Sequence, residues 1–241
     1  MKAIIFAAGF GTRLQPLTNN KPKALVEING TTLLEIVINR LKLFGFNDII
    51  INVHHFSDMI VDFLKKNNNF NTNITISDES DYILDTGGGL KKAAWFFNDK
   101  KPFLVHNVDI ISNINLSEMY NKHLNSDAIA TLAVRNRNSS RYFLFDENNT
   151  LCGWENTKTQ EIKITKETNS QLTQYAFSGI HVISPEIFNH INEKGNFSIV
   201  DVYLKLAATN KIMAFNHDKS LWFDVGDKNK LIEAGKNINQ I

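Results

Sequence analysis

One cysteine in 241 residues, Cys152, leaves nothing for an internal disulfide and no thiolate cluster for zinc. That scarcity suits a reducing compartment, so a cytoplasmic location is the expectation. A dominant charge is missing too: 26 Lys and Arg face 25 Asp and Glu, a formal balance of +1. No overall field draws the chain to nucleic acid or membrane, and neither is expected as a partner; any anion must be held by a local cluster. Long apolar runs are absent as well. The N-terminal run meets Gly9 after about seven apolar residues, far short of a helical span, and has no cleavage pattern upstream, so it is expected to be a first strand of the mature fold. His54, His55, His106 and His181 are scattered without ligand spacing and are assigned structural roles. There is no internal repeat, and the polar stretch 65–73 reads as an exposed turn.

Apolar residues make up 43% of the chain and charged residues 21%, ordinary for a globular protein of one domain over 1–241. Residues 2–7 form a short apolar run, the pattern of a strand buried on both faces. Leu33, Leu34, Val37, Ile38 and Leu41 then follow helical spacing within 31–44, with Gly45 as a stop. Strands are expected at 48–53, 73–77 and 103–107, and helices at 56–66 and 90–97. This alternation predicts a parallel sheet with helices on both faces. After Asp109 short β-rich runs at 128–135, 141–145, 150–154, 161–165 and 175–183 suggest added antiparallel strands. Helices at 186–191, 198–208 and 227–238 and an extended segment at 211–216 complete the chain.

The first chemical feature is Ala7-Ala8-Gly9-Phe10-Gly11-Thr12-Arg13, directly after a strand. Glycines there let the backbone turn sharply and bring N–H groups to a polyphosphate. The loop lacks the third glycine of a dinucleotide fingerprint and the Gly-Lys-Ser/Thr end of a Walker loop, which excludes both. It continues through Leu14-Gln15-Pro16-Leu17-Thr18 to Lys21-Pro22-Lys23-Ala24-Leu25-Val26. Arg13 and Lys23, on a loop stiffened by Pro16 and Pro22, can converge on a triphosphate from two sides.

Two acids stand out further along. Asp109 ends the 103–107 strand run, where an open parallel sheet puts its ligand crevice. Asp224 lies in the apolar Trp222-Phe223-Asp224-Val225-Gly226, where a carboxylate needs a partner or else caps the helix beginning near Asp227. Mg²⁺ shared with phosphate oxygens would suit one or two such carboxylates.

The segment AAGFGTRLQPLT followed by KPKALV resembles the signature of the sugar-1-phosphate nucleotidyltransferases. The resemblance implies a Rossmann-like three-layer α/β/α sandwich, with a nucleotide-binding half, 1–110, and a sugar-phosphate-binding half, 111–241. It implies that Ala8, Gly9, Gly11 and Thr12 cradle the triphosphate, that Arg13 holds its β- and γ-phosphates, and that Lys23 bridges the reacting phosphates. Asp109 and Asp224 match the family's metal-binding aspartates, with Asp224 also on the sugar side, and Mg²⁺ is the implied cofactor. Val108 departs from the usual glycine of the family's Asn-Gly-Asp element, adding bulk beside the metal site.

Leu84-Asp85-Thr86-Gly87-Gly88-Gly89-Leu90 is a second glycine-rich loop, and its glycines leave room for a flat base against the backbone. It resembles the family's nucleobase loop, in a form most like bacterial N-acetylmuramate 1-phosphate uridylyltransferases; Asp85, Thr86, Gly87 and Gly88 are thereby implied in nucleotide binding, with UTP favoured. The segment 175–188 resembles the sugar side, which implies Asn107, Glu155 and Gly179 in sugar binding. Asn156 stands where a lysine commonly follows the glutamate, so the cation for the sugar phosphate is open among Lys158, Lys163 and Lys166.

The implied reaction is attack by a sugar 1-phosphate oxygen on the α-phosphate of a nucleoside triphosphate, releasing pyrophosphate. The attacking phosphate is already ionised, so no general base is required. Two rivals are a phosphocholine cytidylyltransferase and a silent regulatory subunit that binds nucleotide-sugars; the joint presence of Arg13, Lys23, Asp109 and Asp224 argues against the second.

Overall fold

The computed structural model describes residues 1–241. The first half contains β1 (Lys2–Phe6), β2 (Glu27–Ile28), β3 (Thr31–Thr32), α1 (Leu33–Leu43), β4 (Asp48–Val53), α2 (Ser57–Lys66), β5 (Asn73–Asp78), α3 (Asp85–Lys92) and β6 (Phe103–Asn107). There follow β7 (Ile110–Ser112), α4 (Leu116–Leu124), β8 (Ala130–Arg135), β9 (Arg141–Phe145), β10 (Leu151–Asn156), β11 (Glu161–Ile164) and β12 (Thr173–Ile183). The chain closes with α5 (Ile199–Ala207), β13 (Ile212–Asn216), β14 (Trp222–Asp224) and α6 (Lys228–Asn237).

β1 is the centre of the main sheet. It runs parallel to β4, with Ile4 opposite Ile50, and parallel to β6, with Ile5 opposite His106; β5 continues in parallel beyond β4. β12 pairs antiparallel with β6 and β8, and β13 joins β8. The second half was expected to add antiparallel strands, and β8, β9, β10 and β12 do so. β13 runs parallel to β8, because the chain re-enters the sheet at the end where β12 finished: Ile183 and Ile212 both stand opposite Ala130. The 11-residue β12 pairs with three strands, β6, β8 and β9. Its first residues, Thr173 to Tyr175, pair with β9, from which β10 and β11 extend a wing, and its later residues cross the main sheet. The switch coincides with a break in register against β8 between Phe177 and His181.

Alternation along β1 divides the core. Ala3 and Ile5 join one apolar cluster, with side chains from α1, α2, α4 and α6, while Ile4 and Phe6 join another, with α3 and α5. Helices therefore cover both faces, as the Rossmann-like sandwich requires. In α1 the five periodic residues are all buried, each contributing about 1.5–3 kcal/mol of transfer free energy. The Thr32 side chain accepts from the Glu35 N–H at 3.2 Å and fixes the helix start, two residues later than 31, the start expected from the periodicity.

One helix starts elsewhere than the pattern predicts. The periodicity placed a helix at 90–97, with the three glycines in the loop before it. Here α3 opens at Asp85 and contains Gly87, Gly88 and Gly89, and a separate short turn follows at Ala94–Phe96. The glycines are helical because their missing side chains let the helix lie against the 195–197 segment: a Cβ on Gly87 would stand 2.5 Å from the Phe197 ring, and one on Gly88 2.3 Å from the Gly195 carbonyl oxygen.

Candidate active site

The 7–26 loop leaves the carboxyl end of β1 and folds back on itself. Its first N–H, that of Ala7, donates to Asn52 Oδ1 at 2.7 Å. Gly11 then takes φ +67, and a Cβ there would lie 2.9 Å from Cβ of Lys23. The Thr18 hydroxyl donates to the Gly11 carbonyl at 2.9 Å and holds the turn closed. The result is that Lys23, ten positions on, is nearly buried beneath the loop, and its ammonium forms an ion pair with Asp109 Oδ2.

Around this pair is a cavity of about 200 Å³. Of the residues singled out in the sequence, Ala8, Gly9, Lys23, Asp85, Thr86, Asn107 and Asp109 line it, and so does Val108. Gly11 touches its wall through Lys23, while Thr12 and Arg13 are exposed on the outer limb of the loop.

Asp224 reaches the same place from the other end of the chain. β14 pairs antiparallel with β7, Asp224 opposite Ile110, and the Val225 N–H donates to the Asp109 carbonyl at 2.9 Å. The Asp224 carboxylate accepts from Gly226 N–H at 3.1 Å and has Lys230 Nζ at 3.9 Å. It does not cap α6: Asp227 does, accepting from the Lys230 N–H at 3.1 Å. Arg13 comes to Asp224 across Gly226, where a Cβ would stand 2.7 Å from Arg13 Nη2 and 2.9 Å from Asp224 Oδ1. The acids are part-exposed at the side chain, 21% for Asp109 and 28% for Asp224. No set of three or more His, Cys, Asp or Glu gathers in the molecule. Asp109 and Asp224, both accessible, lie on segments joined by the Val225–Asp109 backbone bond with no third acid gathered beside them, a donor set that suits a hard divalent cation whose remaining ligands are water and phosphate oxygens.

Other expected residues are turned elsewhere. The N–H groups of Gly87 and Gly88 both donate to the Phe197 carbonyl, at 2.9 and 3.3 Å, so neither is free to read a base. Glu155 is bound by the Gln174 amide, whereas its neighbours Trp154 and Asn156 line a second cavity. Alternation along β10 separates them. Gly179, at φ +74 in the β12 register break, meets the first cavity through Asn107: a Cβ there would lie 2.8 Å from the Asn107 amide nitrogen. Lys158, Lys163 and Lys166 line neither cavity, and Lys163 pairs with Glu161 at 3.2 Å.

Asn52 and Glu79 were not singled out, yet both line the first cavity. The Asn52 amide donates to Glu79 Oε1 at 2.9 Å, and Glu79 Oε2 accepts from the Leu84 N–H at 3.3 Å. Burial raises the Glu79 pKa. The available clue was a lone polar side chain near the end of the apolar run Ile49-Ile50-Ile51-Asn52-Val53. His106, beneath the site, is fully buried with its pKa lowered to about 4 by desolvation, and its Nδ1 lies 2.8 Å from the Asn107 carbonyl.

A family model described as Nucleotidyl transferase matches residues 2–241. Among curated relatives, an N-acetylmuramate alpha-1-phosphate uridylyltransferase of Caulobacter vibrioides is 29% identical over 96% of this chain and 94% of its own length. One of Neisseria meningitidis is 28% identical, covering 97% of this chain and 96% of its own. Among solved structures, a putative glucose-1-phosphate thymidylyltransferase from Bacillus anthracis superposes with a TM-score of 0.80 at 21% identity, covering 100% of this chain and 96% of that one. HddC from Yersinia pseudotuberculosis, complexed with GMP-PN, gives a TM-score of 0.78 at 24% identity, with 98% and 99% covered. No helix is long and apolar enough to cross a membrane.

Proposed function

The chain belongs to the nucleotidyl transferase family, and from that premise we propose that it transfers a uridylyl group from UTP to N-acetylmuramate 1-phosphate or another hexose 1-phosphate, giving a nucleotide-sugar and pyrophosphate. Transfer to a sugar 1-phosphate is common to the curated relatives. The uridylyl choice is supported by the two N-acetylmuramate relatives, which match along nearly their whole length. Others act on glucose 1-phosphate or mannose 1-phosphate, and this chain spans about 60% of their length.

The observation that carries the reading is the Lys23–Asp109 ion pair at one cavity with Gly9 and Thr86. In this proposal the N–H groups around Gly9 and the Arg13 guanidinium bind the β- and γ-phosphates. Lys23 places its ammonium at the α-phosphate, beside the acid that helps hold Mg²⁺. Asp109 and Asp224 would hold that ion, which when bound would offset negative charge at the reacting phosphate. Asp85 and Thr86 face the base, and Asn107 with the Gly179 bulge faces the sugar. These residues bind and align two anions that would otherwise repel, and the acceptor oxygen needs no proton removed.

A pyrophosphate-release screen of four nucleoside triphosphates against a panel of sugar 1-phosphates and phosphocholine, with and without Mg²⁺, tests this. Release is expected with UTP and N-acetylmuramate 1-phosphate, dependent on Mg²⁺. Turnover confined to phosphocholine and CTP, or none with any pair, would refute it.

A further inference from the structure

The acceptor's phosphate needs a cation, and none of the three lysines considered from the sequence reaches either cavity. Arg137, in the turn between β8 and β9, is placed differently. Its guanidinium carbon lies 4.7 Å from the centroid of the Trp222 ring, two residues before Asp224. Its Nη2 donates to the Phe177 carbonyl at 3.0 Å, two residues before Gly179, and its Nη1 donates weakly to the Asn138 carbonyl at 3.4 Å. The Trp222 indole N–H donates to the Ser178 carbonyl at 3.0 Å, so the platform beneath Arg137 is locked to the β12 bulge. Arg137 is thus tied to both segments assigned to the sugar side.

What it lacks is an anion. Its Nε is buried without a partner, and no carboxylate pairs with it; Asp224, whose field reaches it, has its ion-pair contact with Lys230 instead. Desolvation lowers the Arg137 pKa, and the neighbouring Arg135, also over the Trp222 ring at 5.9 Å, adds a like charge. A half-buried guanidinium beside a second arginine, with donors unused, is costly unless an anion arrives. It also lines a 510 Å³ cavity with Tyr142, Trp154 and Phe177, aromatic walls suited to a sugar ring, and with Glu161 and Asp201, neither of which forms an ion pair with it; Glu161 pairs with Lys163.

We propose that Arg137 binds the phosphate of the acceptor sugar 1-phosphate, in the role left open by Asn156. This rests on the sugar 1-phosphate reading above. A phosphate offers paired oxygens to the guanidinium fork, and Trp222 and the Phe177 carbonyl hold that fork so that little rotamer freedom is lost on binding. Arg137 contacts the acceptor alone, so its effect separates from that of Arg13 and Lys23, which are assigned to the triphosphate.

The test is steady-state kinetics of R137A and R137K with UTP and Mg²⁺, using glucose 1-phosphate and N-acetylmuramate 1-phosphate as acceptors. Calorimetric titration with glucose 1-phosphate and with glucose runs alongside. In R137A the KM for both acceptors should rise at least about tenfold while the KM for UTP stays within about twofold. The preference of binding for glucose 1-phosphate over glucose should disappear, and R137K should recover part of it. An unchanged acceptor KM in folded R137A, or equal losses for UTP and acceptor, would overturn the assignment. So would a rise confined to N-acetylmuramate 1-phosphate, which would place Arg137 on the carboxylate. Should R137A not fold, R137K decides, with its acceptor KM raised and UTP KM unchanged as the supporting result. If the wild type turns over neither acceptor, the activity reading fails on its own, and the glucose 1-phosphate titration still judges Arg137.

Discussion

The backbone N–H of Val225 donates to the carbonyl of Asp109 at 2.9 Å, so the strand end carrying one acid is bonded to the residue after the other. Neither carboxylate takes part in that bond. Asp109→Asn and Asp224→Asn should therefore leave this link and the fold in place while removing a charge that the proposed reaction assigns to Mg²⁺ binding. Each is expected to lower Mg²⁺-dependent pyrophosphate release by at least about 10²-fold. Pyrophosphate assays over a Mg²⁺ series, with circular dichroism as the fold control, check this; full activity in either variant would exclude that acid as a ligand.

A second prediction concerns a residue with no assigned chemistry. Asn52 accepts from Ala7 N–H and donates to Glu79, which in turn accepts from Leu84 N–H, so one amide couples the phosphate loop to the entrance of α3. Asn52→Ala leaves the Ala7 donor and the Glu79 oxygen unpaired in a buried site, at about 1–3 kcal/mol for each group so orphaned. Denaturant unfolding should show the loss, and the KM for UTP should rise as the loop loosens. Unaltered stability would mean that water replaces the amide.

The glycine loop at the cavity was legible because its parts are contiguous: the strand, Gly9, Gly11, Arg13 and Lys23 fall within one short stretch. Central strands and α1 were legible for a similar reason, since period and burial are local properties. What sequence could not tell was which side of an element faces the ligand. In α3, Phe197 and Gly195 press on Gly87 and Gly88, and Glu79 with Asn52 on Gly89, all distant in the chain, and nothing in Thr-Gly-Gly-Gly distinguishes that from room for a base. Strand alternation likewise sets Glu155 one step apart from Trp154 and Asn156, which line the second cavity. α4 went unseen because Leu116, Met119 and Tyr120, its buried stripe, are interrupted by polar residues, and β7 with β14 is too short to show a period.

Buried histidines set a pH limit on stability. His123 lies 2.9 Å from both Thr131 Oγ1 and Ser184 Oγ, His181 meets the Tyr203 hydroxyl, and His217 lies 2.7 Å from Ser178 Oγ. Burial lowers their pKa values from 6.5 to about 4, 3 and 4. Above pH 6.5 both folded and unfolded forms are neutral there, and the stability is fully present. Between pH 6.5 and about 4 the unfolded chain binds protons that the folded one refuses, so stability falls as pH falls. With His106, likewise buried and lowered to about 4, unfolding at pH 5 should take up as many as about four protons at these histidines, seen in the slope of unfolding free energy against pH. His123→Gln should reduce that uptake by about one; a slope unchanged by the substitution would show that His123 is protonated in the native state.

The β12 bulge supplies the last test. Gly179 sits at φ +74, and a methyl group there would meet Asn107 Nδ2 at 2.8 Å and Ile110 Cγ1 at 2.9 Å. Both neighbours lie next to the acid: Asn107 ends β6 and Ile110 begins β7, on either side of Val108 and Asp109. Gly179→Ala therefore adds backbone strain of about 1–3 kcal/mol and also pushes on the segment that carries Asp109. Thermal unfolding should register the strain, and acceptor KM and kcat should worsen more than the KM for UTP, because the displaced Asn107 faces the sugar. Asn107→Ala in the same background removes the closer clash. If the double variant regains stability relative to Gly179→Ala, the contact at 2.8 Å is the cause; if it does not, the positive φ alone requires glycine, and the proximity to Asn107 is incidental.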